Sequence, residues 1–174
     1  MSVDGVDFRI NEPWPFERLW SERWYSHKFK GPALRYEVAL CILTGDIVWT
    51  NGPFPAGMWS DWMIFSQGGL LDCLEKDERV EADDGYLAGD PEVVKCPAGI
   101  LHEEEQKKYR KRVRARQESV NKRIKQWGIM GGDHRSYRHD LLKHQLFFDV
   151  VTLITQVAIE NGEPLFDTSE YSDE

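Results

Sequence analysis

An α/β fold with a mixed sheet is what this chain predicts, on three observations. Segments of strand character dominate the first half, two of them joined by a tight turn. Helical apolar spacing takes over near residue 59 and again in two long segments of the second half. The order that results is strand, strand, strand, helix, strand, short strand, helix, helix, which layers helices on a sheet with a hairpin at one side.

Each element has its own signal. The first ten residues alternate, with Val3, Gly5 and Asp7 on one side and Asp4, Val6, Phe8 and Ile10 on the other, the period of a strand. A loop rich in Pro and Trp follows, N-E-P-W-P-F-E-R-L-W. In L-R-Y-E-V-A-L-C-I-L, Tyr36, Val38, Leu40 and Ile42 share a face; T-G-D supplies a turn and I-V-W-T-N the returning strand, closed by N-G-P-F-P-A-G. From Trp59 the spacing of Trp62, Phe65, Leu70 and Leu74 is helical, with a break at Gly68-Gly69. R-V-E-A-D reads as a strand and E-V-V-K-C as a shorter one. A helix is predicted from about Glu103 to Trp127, opened by three glutamates that suit the positive end of its dipole. The last helix runs from about Asp140, a good N-cap, to Asn161, with Gly162 and Pro164 as the stop.

The charge is unevenly distributed. The chain carries 22 Lys and Arg against 30 Asp and Glu, a net of -8, yet ten of those cations lie between Lys107 and Lys125 with Glu118 as the sole acid among them. A segregated basic stripe can track a phosphate backbone despite an acidic average, because the field acts over about 10 Å. Cys41, Cys73 and Cys96 are odd in number and far apart, which fits a reducing intracellular compartment better than a disulfide framework or a zinc site. No apolar run reaches the roughly 18 residues of a membrane span, so no membrane partner is expected.

Asp83 closes a strand at a glycine turn, in V-E-A-D-D-G-Y, and Asp4 sits on the opening strand. With Glu118 on the basic helix they form a candidate acidic triad from three separate elements, the hard oxygen donors that Mg²⁺ or Mn²⁺ takes. On the helix, Tyr109, Val113, Val120, Ile124 and Trp127 form the core stripe, and Glu118 lies about 140° away beside Lys111, Arg114, Lys122 and Lys125. The ordinary alternative is a solvated helix face with Glu118 paired to Lys122 and Asp83 serving its turn. His134, His139 and His144 miss the spacing of two imidazoles on one helix face and are assigned capping and surface roles. Most tryptophans are expected in the core, with Trp20 and Trp24 open to base stacking. Phosphate-loop and serine-elbow motifs are absent from the sequence.

Taken together, S-V-D-G-V-D-F-R-I, R-W-Y-S-H-K-F-K-G-P-A-L-R-Y-E-V, T-G-D-I-V-W-T-N-G-P-F-P-A-G, V-E-A-D-D-G-Y, V-R-A-R-Q-E-S-V-N-K-R-I-K-Q-W and Y-R-H-D-L-L-K-H-Q-L-F-F-D-V-V-T-L-I-T-Q resemble the catalytic domain of the DDE superfamily endonucleases, in particular PIF/Harbinger-type transposases. The resemblance implies an RNase H-like fold and an Asp-Asp-Glu site for two Mg²⁺ or Mn²⁺. By position it matches Asp4, Asp83 and Glu118, with Asp7 and Asp84 as alternative ligands; the cations beside Glu118 on the basic helix, Arg114, Lys122, Lys125 and Lys111, are then the candidates for contact with the DNA backbone. It implies phosphodiester hydrolysis and strand transfer on double-stranded DNA in the nucleus, with a separate DNA-recognition protein or a homo-oligomer as further partners. The expected domain spans 1–166 and lacks the N-terminal helix-turn-helix region usual in such transposases; an acidic, disordered tail is expected at 167–174. A catalytically silent, domesticated DNA- or protein-binding descendant is the alternative.

Overall fold

Strand β1 (Ser2–Arg9) is the centre of the sheet. In the computed structural model, which describes residues 1–11, 22–96, 104–130 and 140–167 and only the backbone of 104–107, it lies antiparallel to β3 (Gly31–Leu40) along its whole length, from Ser2 opposite Leu40 to Arg9 opposite Ala33. The hairpin partner β4 (Ile47–Pro55) runs antiparallel to β3. The two-residue β2 (Tyr25–Ser26) pairs with the first residues of β3. On the other flank β5 (Val80–Glu81) and then β6 (Val94–Lys95) run parallel to β1. The path is therefore β4-β3-β1-β5-β6, antiparallel on one side of β1 and parallel on the other, a mixed sheet in an α/β fold.

Helices cover both faces. Helices α1 (Asp61–Gln67) and α2 (Leu70–Cys73) are separated at Gly68-Gly69 as predicted, and Gly69 takes a positive φ of 104° that glycine adopts without strain. They pack Phe65 and Leu70 on Val3, Ala39 and Val80. Helices α3 (Glu104–Lys125) and α4 (Leu141–Glu160) cover the opposite face, where Val120, Ile124, Phe148 and Val151 meet Val6, Phe8, Tyr36, Val38 and Leu40. The parity of β1 follows directly. Val6 and Phe8 point to α3 and α4, and Val3 to α1 and α2, so Asp4 looks toward α3 and Asp7, three positions on, toward the other face. Tyr36 and Phe148 stack with ring centroids 3.9 Å apart, a geometry that contributes about 1 kcal/mol beyond burial.

Several expectations are corrected here. β4 does not end at Asn51-Gly52 but continues through Pro55, with a register shift between Arg35 and Glu37 of its partner. Pro53 and Pro55 are accommodated because β4 pairs with β3 only, and an edge strand with an irregularity can lose amide donors. β3 begins and ends about three residues earlier than predicted, because the turn occupies all of Cys41–Asp46, with Cys41 N donating to Asp46 O. His144 is buried rather than superficial: its Nδ1 meets the Tyr36 hydroxyl at 2.7 Å. Trp24 is buried in the same core and offers no face for a base, while Trp127, predicted on the core stripe, is exposed. The loop tryptophans Trp14 and Trp20, His134, His139 and the acidic tail from residue 168 lie outside the described residues. Among the described residues no helix is long and apolar enough to cross a membrane.

Candidate functional site

Asp4 occupies the middle of the sheet on the α3 face. Its neighbours on that face explain how the helix is docked. Ser2 Oγ donates to Gln117 Oε1 at 3.0 Å, Gln117 Nε2 donates to the Val38 carbonyl at 3.0 Å, and Asn121 Nδ2 donates to Asp4 Oδ2 at 2.8 Å. Gln117 and Asn121 are one turn apart, so they pin a single line of α3 along β1. Arg114, Glu118, Lys122 and Lys125 flank that line on α3. They line, with Asp4 and Asp83, a cavity of about 590 Å³.

Asp83 arrives from the parallel side of the sheet. It stands one residue beyond β5, after Ala82, and its Oδ1 accepts from Gly85 N at 2.7 Å, opening the short 3-10 turn Asp84–Tyr86. Asp83 lines the cavity, whereas Asp84 is exposed and outside its lining. The structure thus brings Asp4, Asp83 and Glu118 to one cavity. It also brings Arg114, Lys122 and Lys125 there, but leaves Lys111 exposed on α3 outside the lining. Asp7 borders the cavity yet is otherwise engaged: Arg35 Nε and Nη2 donate to its two oxygens at 2.7 and 3.1 Å, and Ser26 Oγ donates to Oδ2 at 2.6 Å. It is 2% exposed, and serves as the counter-charge of Arg35.

The sequence reading missed Asp61, at the first position of α1. Its Oδ1 lies 3.3 Å from Arg35 Nη1 and is buried without a hydrogen bond. Two glycines make room for its carboxylate: a Cβ on Gly5 would collide with Asp61 Oδ1, and one on Gly85 would stand 2.8 Å from Oδ2. These glycines follow Asp4 and the Asp83-Asp84 pair in sequence, the one trace Asp61 leaves there. Lys28 and Arg110 were missed as well and line the same cavity; Arg110 Nε pairs with Glu81 at 3.4 Å and its Nη1 donates to the Cys96 carbonyl at 2.9 Å.

The electrostatics follow from this crowding. Burial, then the charges of Asp83 and Asp61, push the Asp4 carboxyl up to about 7, against the smaller opposing effects of Lys28 and the Asn121 bond. Burial also raises Asp61, partly offset by Arg35. Lys125 is lowered to about 8, by burial first and then by Lys28; its ammonium lies 5.4 Å from the Phe8 ring centroid. Among the described residues no three His, Cys, Asp or Glu side chains are drawn together closely enough to hold a metal ion. The donor chemistry still suits a hard cation, since Mg²⁺ takes only one or two carboxylates and keeps several waters. A divalent ion would offset the charges of Asp83 and Asp61, which add to burial in driving Asp4 toward its neutral form.

Comparison with protein-family models, with curated proteins and with solved structures found no match to this chain.

Proposed function

We propose that the chain is the core of a metal-dependent DNA endonuclease or transposase of the DDE type, acting on double-stranded DNA in the nucleus. The observation that carries the reading is the meeting of Asp4, Asp83 and Glu118, chosen from sequence, on one cavity whose other wall is Arg114, Lys122 and Lys125. The sheet supports an RNase H-like assignment: a central first strand, two antiparallel strands on one side and two parallel strands on the other.

Asp4, Asp83 and Glu118 would hold Mg²⁺ or Mn²⁺, which when bound polarises a phosphodiester and acidifies a water. The chain's own part is positional. Arg114, Lys122 and Lys125 present cations to the phosphates flanking the scissile bond, and Asn121 fixes the rotamer of Asp4. Arg35 holds Asp7 and lies 3.3 Å from Asp61 behind the acids, offsetting part of their charge.

Two measurements on the purified chain test this: thermal unfolding with millimolar Mn²⁺, and nicking of supercoiled DNA. Binding to the native state alone raises the unfolding temperature, and Asp83→Asn or Glu118→Gln should each abolish nicking while DNA binding persists. A wild-type chain that neither gains stability nor nicks DNA would end the proposal. A second reading, a catalytically silent binder of DNA or protein, is favoured by one observation: Glu118 is exposed and the three acids are not gathered into a ready cage. DNA binding without nicking, even with a recognition domain supplied, would select it.

A further inference from the structure

Helix α4 is apolar on two sides. Phe148, Val151 and Ile159 are buried inward, while Leu142, Leu146, Val150, Leu153 and Val157 are exposed on the opposite side, Leu153 at 65%. A helix apolar all round belongs in an interior, and this one has solvent along a full face.

We propose that this face pairs with α4 of a second copy of the chain, the two helices antiparallel. The spacing of the stripe is that of a two-stranded seam: Leu146, Val150, Leu153 and Val157 recur at intervals of four, three and four, the 3.5-residue average of knobs-into-holes packing. The same register extends one step each way, to Lys143 three positions before and Glu160 three positions after, both exposed. Those two residues set the direction. With the two-fold axis between Val151 and Thr152, Leu146 faces Val157, Val150 faces Leu153, and Lys143 of each copy faces Glu160 of the other. Asp149 then lies beside Gln156, whose amide donates to Asp46 of its own chain at 2.9 Å. A parallel pair would stack Lys143 on Lys143 and Glu160 on Glu160, which charge repulsion disfavours. The face is self-complementary in one orientation only, which is what an isologous dimer needs. Glu160 accepts from Gln156 of its own helix at 3.0 Å, and its second oxygen can meet a facing ammonium. The inference is independent of the reading of the cavity, whose lining contains no residue of α4.

Sedimentation velocity of the full chain between about 1 and 100 µM, concentrations at which a modest helix-pair interface assembles, tests it. The expected result is a mass rising to twice that of one chain. Leu146→Glu with Leu153→Glu should hold it at the monomer mass with unchanged far-ultraviolet circular dichroism. Lys143→Glu and Glu160→Lys, each at an exposed site, should separately weaken the dimer on the order of tenfold, and the two together in one chain should restore it, because the opposed charges are then merely exchanged. A wild-type monomer throughout the range, a dimer indifferent to the Leu146 and Leu153 changes, or a double reversal as weak as the single ones would each overturn the proposal.

Discussion

Asn121 Nδ2 donates to Asp4 Oδ2 across 2.8 Å, joining the third helix to the central strand over 117 positions of sequence. The bond favours the charged carboxylate, but burial and the neighbouring acids outweigh it, and the carboxyl rises from 3.8 to about 7.

A pH dependence of stability follows. Between pH 4 and 7 the unfolded chain ionises this group and the folded chain does not, so Asp4 lowers stability progressively as pH rises through that window. Asp4→Asn keeps the shape and the Asn121 bond, so the variant should match wild type near pH 3 and exceed it at pH 8 by on the order of 1–2 kcal/mol, allowing for partial solvent screening. Glu37, also raised to about 7 by burial, keeps part of the slope in the variant. Denaturant titrations at the two pH values decide the matter; no gain at pH 8 refutes it.

The same proton competes with a cation. Metal binding to a deprotonated Asp4 should release a proton, so the rise in unfolding temperature given by Mn²⁺ should be larger at pH 8 than at pH 6. Asp7→Asn should leave that response intact, since Asp7 is held by Arg35 and Ser26. An equal response at both pH values would contradict this assignment of Asp4.

DNA affinity should fall steeply with salt, with a logarithmic slope near 0.9 for each phosphate contacted. Replacing Arg114, Lys122 and Lys125 by Gln should reduce that slope by roughly two to three units. Lys125, lowered to about 8, loses its charge as pH rises through that value, so wild-type affinity should weaken between pH 7 and 9 more than that of Lys125→Gln. Filter binding over a salt and pH grid measures both; a triple variant with the wild-type slope would exclude the basic wall as the contact.

The pair formed by the Tyr36 hydroxyl and His144 Nδ1 has its own acid signature. Burial lowers His144 to about 4, so the unfolded chain takes up a proton near 6.5 that the folded chain refuses, and stability is lost as pH falls from 6.5 toward 4. His144→Phe should remove that loss, at a cost of about 1 kcal/mol at pH 8 from the unpaired Tyr36 hydroxyl. Comparing unfolding midpoints at pH 4.5 and 8 reads the two effects separately, and an unchanged acid slope would show that His144 does not titrate as its burial requires.

What the sequence made legible was periodic or punctuated. The alternation of β1, the break at Gly68-Gly69 and the Asp140 cap all lie in residues close together in the chain, where local rules act. Asp4, Asp83 and Glu118 could be picked out because each sits at a strand or helix position with a distinct setting. Asp61 could not, since its importance comes from the space left by Gly5 and Gly85, contacts more than twenty positions away. Polar neighbours in sequence hide the apolar surroundings of Trp24, and the spacing of His144 from the other histidines says nothing of the Phe8 and Tyr36 rings that enclose it. The proline-bearing end of β4 was read as a stop because sequence cannot say which strand is an edge.

β1 is paired with β3 along its entire length but with β5 at one register position, Ser2 opposite Glu81. Asp4 is therefore fastened to the most heavily laced part of the sheet, and Asp83 to its loosest seam. The spacing between those two carboxylates is the dimension of the cavity most easily changed, since β5 can lean away from β1 without disturbing the hairpin. Any cation bridging the two would act as a buckle across that seam, and slow amide exchange spreading from β1 into Val80 and Glu81 would be its mark.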